Sequence, residues 1–133
     1  MISPRLIYSI YENRLQKLIT KEDLPKHIGL IHDGHRRYAR KEGLLSYEVS
    51  YKIGMERLKD CLLWCDEAGI RHVTSWLLSR ENLARQNEEL GPYFEVLNEL
   101  FEDLLIDDVV DNFKITFIGS TDLLPQKLQE TIE

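Results

Sequence analysis

Residues 27–41 read HIGLIHDGHRRYARK: an apolar run ends in Asp33 and Gly34, and Arg36, Arg37, Arg40 and Lys41 follow at once. So much positive charge at one point stands out in a chain whose 23 Asp and Glu outnumber its 17 Lys and Arg. If Asp33 and Gly34 turn the chain out of a strand, the basic residues occupy the first two turns of a helix. The unpaired N–H groups and positive dipole end of that helix then join the guanidiniums in a site suited to phosphate oxygens. An aspartate in the same pocket repels phosphate unless a divalent cation lies between them, and Mg²⁺ commonly joins one or two carboxylates to substrate phosphates. The pattern therefore points to a Mg²⁺–diphosphate site with Asp33 as metal ligand; it equally allows a solvated basic helix that Asp33 merely caps. His27, His32 and His35 flank the aspartate. At ~3.3 Å per strand residue, however, His27 stands far from His35, so only His32, Asp33 and His35 can converge and zinc is the poorer fit.

A second group, SRENLAR at residues 79–85, sets Ser79, Arg80, Asn82 and Arg85 at the start of another predicted helix. A hydroxyl, an amide and two guanidiniums there can reach the same anion, or Ser79 can simply be the N-cap with Asn82 near the third position. Positioning both groups falls to the elements around them. HIGLIH and RHVTSWLL are short runs rich in apolar and β-branched residues and predict two buried strands. Residues 50–68 carry Ile53, Leu58, Cys61, Leu62 and Cys65 at a 3.6-residue period and stop at Gly69. Residues 92–111 open with Pro92 and place Phe94, Leu97, Leu100, Phe101, Leu104 and Leu105 along one face, a second long helix. FKITFIG, residues 113–119, predicts a third strand, and TDLLPQKLQETIE after it a last helix. This alternation predicts an α/β fold with a parallel sheet covered by helices on both faces. An N-terminal amphipathic helix precedes it, in which Leu6, Ile7, Ile10, Tyr11, Leu15, Leu18 and Ile19 follow Pro4 at helical spacing. Ligands of such sheets bind beyond the carboxyl ends of the strands, where both groups stand.

The 133 residues, 43% hydrophobic and 30% charged, suit one domain over 1–133, with 1–24 as its leading helix and linker. A net charge of −6 disfavours non-specific binding to nucleic acid or to an anionic membrane, both of which need a basic surface. No apolar run approaches the ~18 residues of a membrane span, and the N-terminus lacks the apolar core of a secretory signal. A cytoplasmic protein is expected, with peripheral membrane contact through the leading helix left open. Cys61 and Cys65 share one helical face among leucines and read as reduced core residues.

HIGLIHDGHRRYARKEGL, AGIRHVTSWLLSRENLAR and FKITFIGSTDLLPQKLQETI together resemble the cis-prenyltransferases, the undecaprenyl and dehydrodolichyl diphosphate synthase family. That family's first signature, H-x-x-x-x-M-D-G-N-x-R-W-A, and its second, S-x-E-N-W-x-R, are matched in order and in the right strand context. The likeness covers essentially the whole chain, but only about the N-terminal half of the family's usual length. It implies an enzyme that condenses isopentenyl diphosphate with an allylic diphosphate to give a cis-polyprenyl diphosphate, working as a homodimer. On this resemblance Asp33 would hold Mg²⁺ against the allylic diphosphate and help its departure, while Gly34, His35, Arg36 and Arg37 cradle that diphosphate. Asn82 would take part in proton removal, and Ser79, Arg80, Glu81 and Arg85 would line the same site. The growing tail would lie in a tunnel between the sheet and the helices at 50–68 and 92–110.

The chain departs from the family at several substrate-site positions. Tyr38 stands where the first signature has tryptophan and keeps an aromatic wall; Leu83 stands where the second has tryptophan and removes one. His32 and His35 replace a methionine and an asparagine, and His35 can still donate a hydrogen bond. Where the family offers an arginine and then a histidine after Gly43, this chain has Ser46 and then Ser50 or Tyr51. The family's C-terminal arginine and serine motif, which grips isopentenyl diphosphate, and its second acidic metal ligand would fall beyond Glu133. The chain is therefore expected to be incomplete at its C-terminus and to carry the allylic-diphosphate half of a site. The alternative is a non-catalytic scaffold subunit that pairs with a complete prenyltransferase.

Overall fold

The β-branched and apolar runs HIGLI and HVTSW form the two strands of the computed structural model, which describes residues 4–20, 22–106 and 113–133. Helix α1 (Pro4–Leu18) leads to β1 (His27–Ile31), α2 (His35–Lys41), α3 (Tyr47–Ala68), β2 (His72–Trp76), α4 (Asn87–Ile106) and α5 (Gln126–Ile132). Single 3₁₀ turns lie at Asn82–Ala84 and Thr121–Leu123. The strands are parallel, with His27 opposite His72 and Ile31 opposite Trp76. Parallel neighbours need a long crossover, and α2 with α3 supplies it. Gly69 ends α3 in the left-handed region at φ +78°, and the N–H groups of Gly69 and Ile70 return to Asp66 and Cys65.

The core is the seam between α3 and α4, closed at one end by α5. Tyr51, Met55 and Leu58 meet Tyr93, Val96, Leu97, Leu100, Phe101 and Leu104, with Leu128 added from α5. Each set repeats at three and four residues, the spacing of one helical face, and each buried side chain contributes about 1.5–3 kcal/mol. Asn98, buried in the seam, donates to Glu102 and accepts from the Thr131 hydroxyl, which fastens α5 to α4. Cys61 and Cys65 are free thiols on α3, and burial pushes the Cys65 thiol up.

Three expectations are modified. Helix α4 starts at Asn87 rather than Pro92, because Gln86 already accepts from the Glu89 and Leu90 N–H groups. Pro92 then costs only a bond to the exposed Glu88 carbonyl; residues 107–111 of the expected helix lie outside the described ones. Residues 113–118 form no ladder, so the described sheet has two strands. Phe113 and Phe117 bind that segment to the core instead, Phe117 edge-on to Phe101. The helices cover the sheet face that carries Leu30. On the other face Ile31 is 80% and Trp76 61% exposed, so the double covering is met on one side among the described residues. The apolar stripe of α1 is exposed along its length.

Candidate functional site

Beyond β1 the His32 N–H still reaches Trp76 O, and the Asp33 N–H turns back to Ile31 O at 3.0 Å. Gly34, at φ +103°, then starts α2, a backbone conformation that a side chain would strain. This turn aims Asp33, Gly34, His35, Arg36, Arg37 and Arg40 into a cavity of about 220 Å³. Its other walls are His32 from the end of β1, Tyr51 from α3, Leu77 and Arg85 from the segment after β2, and Tyr93 from α4. Arg85 of the second group thus joins the first at the carboxyl ends of the two strands, where the parallel-sheet rule places ligands.

Asp33 stands at the mouth with its side chain 73% exposed. Its Oδ1 accepts from the Gly34 N–H at 2.6 Å and its Oδ2 pairs with Arg37 Nη2 at 3.0 Å. The Gly34 N–H first and the Arg37 charge second hold its carboxyl below the usual aspartate range, so it is ionised and accessible. That fits one carboxylate of a Mg²⁺ site whose remaining ligands are diphosphate oxygens and water. Among the described residues no group of three His, Cys, Asp or Glu is placed to hold a metal.

Deeper in, Glu89 gathers the basic side chains. Its Oε1 accepts from Arg85 Nη1 at 2.9 Å and from the Tyr51 hydroxyl at 3.3 Å, and Arg36 Nε lies 3.8 Å away. Sequence reasoning missed Glu89, although an acid four residues after Arg85 at a helix start was the available signal. The Tyr93 hydroxyl donates to Leu77 O, and its ring meets Tyr51 edge to face at 4.8 Å. Burial first, and then Glu89, push the Tyr51 phenol up to about 12.

His35 packs edge-on to Tyr51 and directs Nδ1 to Ser50 O at 3.1 Å, so that nitrogen carries the proton. The ring fits because residue 54 is glycine: a Cβ there would stand 2.0 Å from His35 Cε1. The Nε2 atoms of His32 and His35 are buried without a hydrogen-bond partner, and burial, then His35, hold the His32 imidazole below its usual pKa.

Asp33, Gly34, His35, Arg36, Arg37, Tyr51 and Arg85 therefore share one cavity, and Tyr51 rather than the Ser50 hydroxyl faces it. Ser79, Arg80, Glu81, Asn82 and Leu83 form the adjoining turn and do not line it. There Ser79 N–H donates to Asn82 Oδ1 at 3.0 Å and Asn82 N–H to Ser79 Oγ at 3.3 Å, a reciprocal pair that closes a single 3₁₀ turn at Asn82–Ala84; the helix expected to start at 79–85 begins only at Asn87. Tyr38 is exposed on α2, and Ser46 borders a second hollow of about 400 Å³ that shares Arg40 with the first. The leucine-rich faces expected to flank a tunnel pack on one another as core.

A family model described as putative undecaprenyl diphosphate synthase matches residues 31–133. A (2Z,6E)-farnesyl diphosphate synthase of Thermobifida fusca is 38% identical over 127 residues, 96% of this chain and 48% of that protein. A tritrans,polycis-undecaprenyl-diphosphate synthase (geranylgeranyl-diphosphate specific) of Picrophilus torridus is 40% identical over 126 residues, 93% of this chain and 49% of that protein. Lavandulyl diphosphate synthase from Lavandula x intermedia, solved in complex with dimethylallyl diphosphate, shares the fold. The TM-score is 0.72 at 25% identity, over 81% of this chain and 46% of that one. The chain spans about half the length of the curated relatives it matches. With the signature residues gathered at the strand ends and the likeness running through nearly the whole sequence, the chain belongs to the undecaprenyl diphosphate synthase family, the cis-prenyltransferases.

Proposed function

We propose that this chain supplies the allylic-diphosphate half of a site that condenses isopentenyl diphosphate with an allylic diphosphate to give a cis-polyprenyl diphosphate. The observation that supports it best is the meeting of Arg36, Arg37 and Arg85, from two separate motifs, in one cavity with the ionised Asp33 at its mouth. The guanidiniums and the Gly34 turn bind the diphosphate oxygens in charge-assisted pairs. Asp33 would hold Mg²⁺, which supplies charge neutralisation for a departing diphosphate. The allylic carbon–oxygen bond breaks, with its electron pair leaving on diphosphate. The isopentenyl double bond supplies the pair for the new carbon–carbon bond, and a proton passes from the condensed chain to diphosphate. Asn82 orients that transfer through its Nδ2, since Oδ1 is held by Ser79. Ser79, Arg80, Glu81 and Leu83 would meet the substrate from the turn that adjoins the cavity, with Tyr38 on the exposed side of α2 and Ser46 beside the neighbouring hollow.

Two copies associating, residence in the cytoplasm and peripheral membrane contact through the exposed stripe of α1 complete this reading. No helix among the described residues is long and apolar enough to cross a membrane. A second reading, a scaffold subunit paired with a complete prenyltransferase, draws on the Ser79–Asn82 turn, which closes on itself outside the cavity.

Calorimetric titration of the chain with a non-hydrolysable allylic diphosphate, with and without Mg²⁺, tests the site. Mg²⁺-dependent binding is expected, weakened roughly tenfold or more in Asp33→Ala. No binding by a folded sample rejects the diphosphate site. Binding without turnover, in the presence of isopentenyl diphosphate, favours the scaffold.

A further inference from the structure

We propose that the loop between α2 and α3 docks this chain on an anionic lipid bilayer, with Leu45 inserted among the lipids and Arg40 and Lys41 against the headgroups. This contact is separate from the stripe of α1, and it does not depend on what the cavity binds.

The loop is built to hold Leu45 outward. Gly43, at φ +66°, closes α2: its N–H returns to Arg40 O at 3.4 Å, and the Leu44 N–H reaches back to Ala39 O at 2.9 Å. That second bond is the long one of a Schellman end, which turns the residue after the glycine back toward the helix. Leu44 is accordingly half-buried. Ser46, in extended backbone, then starts α3. Leu45 is fixed between these two closures, and its side chain is wholly exposed, more than any other large apolar side chain among the described residues.

Charge selects the occupant. Arg40 and Lys41 end α2, both exposed and neither in an ion pair among the described residues, and Arg37 beside them is exposed although paired with Asp33. Helix α2 carries four basic residues and no acid, and the loop adds only Glu42. In a chain of net charge −6 this is a local match to an anionic surface. Arg40 and Leu45 line one hollow with Leu44 and Tyr47, so the cation and the apolar side chain stand together. A lone projecting leucine suits a surface that it can enter, whereas a protein partner needs about 800 Å² of fitted surface on each side. Stable attachment to a bilayer takes two signals, an apolar insertion and a basic patch, and this loop carries both. Because Arg40 lines the cavity as well, docking brings the cavity to the lipid surface.

Sedimentation of the full chain with vesicles tests this, with equal parts phosphatidylglycerol and phosphatidylcholine set against phosphatidylcholine alone. The chain should partition onto the anionic vesicles, bind the neutral ones far less and come off in high salt. Leu45→Asp should lower the partition roughly tenfold or more and Lys41→Ala about fivefold, the factors expected for a buried leucine and for one basic residue near the surface. Both side chains are exposed, so the variants should keep the circular dichroism of the parent chain. In Ile10→Asp, which weakens the stripe of α1, vesicle binding should remain and should still fall with Leu45→Asp. Binding that Leu45→Asp leaves unchanged, or that Ile10→Asp alone abolishes, overturns the proposal. So does a parent chain that leaves anionic vesicles bare or binds neutral ones equally well. If light scattering without lipid shows Leu45→Asp turning a larger particle into a monomer, the leucine is a contact between copies and the proposal falls.

Discussion

Glu89 serves three elements with one carboxylate, taking a hydrogen bond from Tyr51 of α3, another from Arg85 after β2, and an ion pair from Arg36 of α2. Each guanidinium has five donors, so the carboxylate orients the arginines and leaves most of their N–H groups for a ligand. With its side chain only 18% exposed, Glu89 is screened less than a surface acid, and the pairing is correspondingly firmer. The tyrosines beside it make this cluster visible to titration. Burial and the Glu89 charge raise the Tyr51 phenol from 10.0 to about 12, and burial raises Tyr93 as well. The unfolded chain therefore releases these protons first, and their contribution to stability, intact below pH 10, is lost as pH climbs through the window toward about 12. Urea unfolding across that window should show the decline, and Tyr51→Phe should flatten it. A Tyr51→Phe profile parallel to that of the parent chain would count against the buried, tied phenol.

Helix α2 owes its seat on α3 to a glycine. The imidazole of His35 occupies the space that a Cβ at residue 54 would fill, 2.0 Å from Cε1, and Ser50 O holds Nδ1 in place. Gly54→Ala should therefore cost about 1–3 kcal/mol in urea unfolding, the usual penalty of overpacking, despite the better helix propensity of alanine. Added to His35→Ala, the same change should cost far less, because the clash is gone; strict additivity of the two would refute the shared space. Element type and order were legible wherever the signal is local. The helical spacing from Phe94 to Leu104, the short apolar and β-branched runs of the two strands and the Gly69 stop each specify an element without help from elsewhere. Residues 113–118 differ from the strand their composition predicts: propensity is a local preference that tertiary context overrides, and there Phe113 and Phe117 pack on the core without a ladder.

At the scale of the whole molecule, apolar surface is left open on several sides. Ile31 and Trp76 crown the uncovered sheet face, Leu105 and Ile106 end α4, Ile118 lies after them, and α1 shows its entire stripe. Surface of this kind marks association, so light scattering should find particles larger than one chain, with Trp76→Lys shifting them toward the monomer. A clean monomer for the parent chain would remove that expectation. The sequence by itself determined the two motifs, their place at strand ends, the parallel order of the strands and the gathering of arginines beside Asp33. All of these follow from residue type and short spacing, which act through turn geometry, periodicity and charge. Only the tertiary structure decided that Arg36 and Arg85 share Glu89, that Asn82 turns toward Ser79 instead of into the cavity, and that Tyr51 and Tyr93 meet edge to face along its wall. Those outcomes depend on which side chains meet across distant stretches of chain, and on how the helix faces fill the space between them.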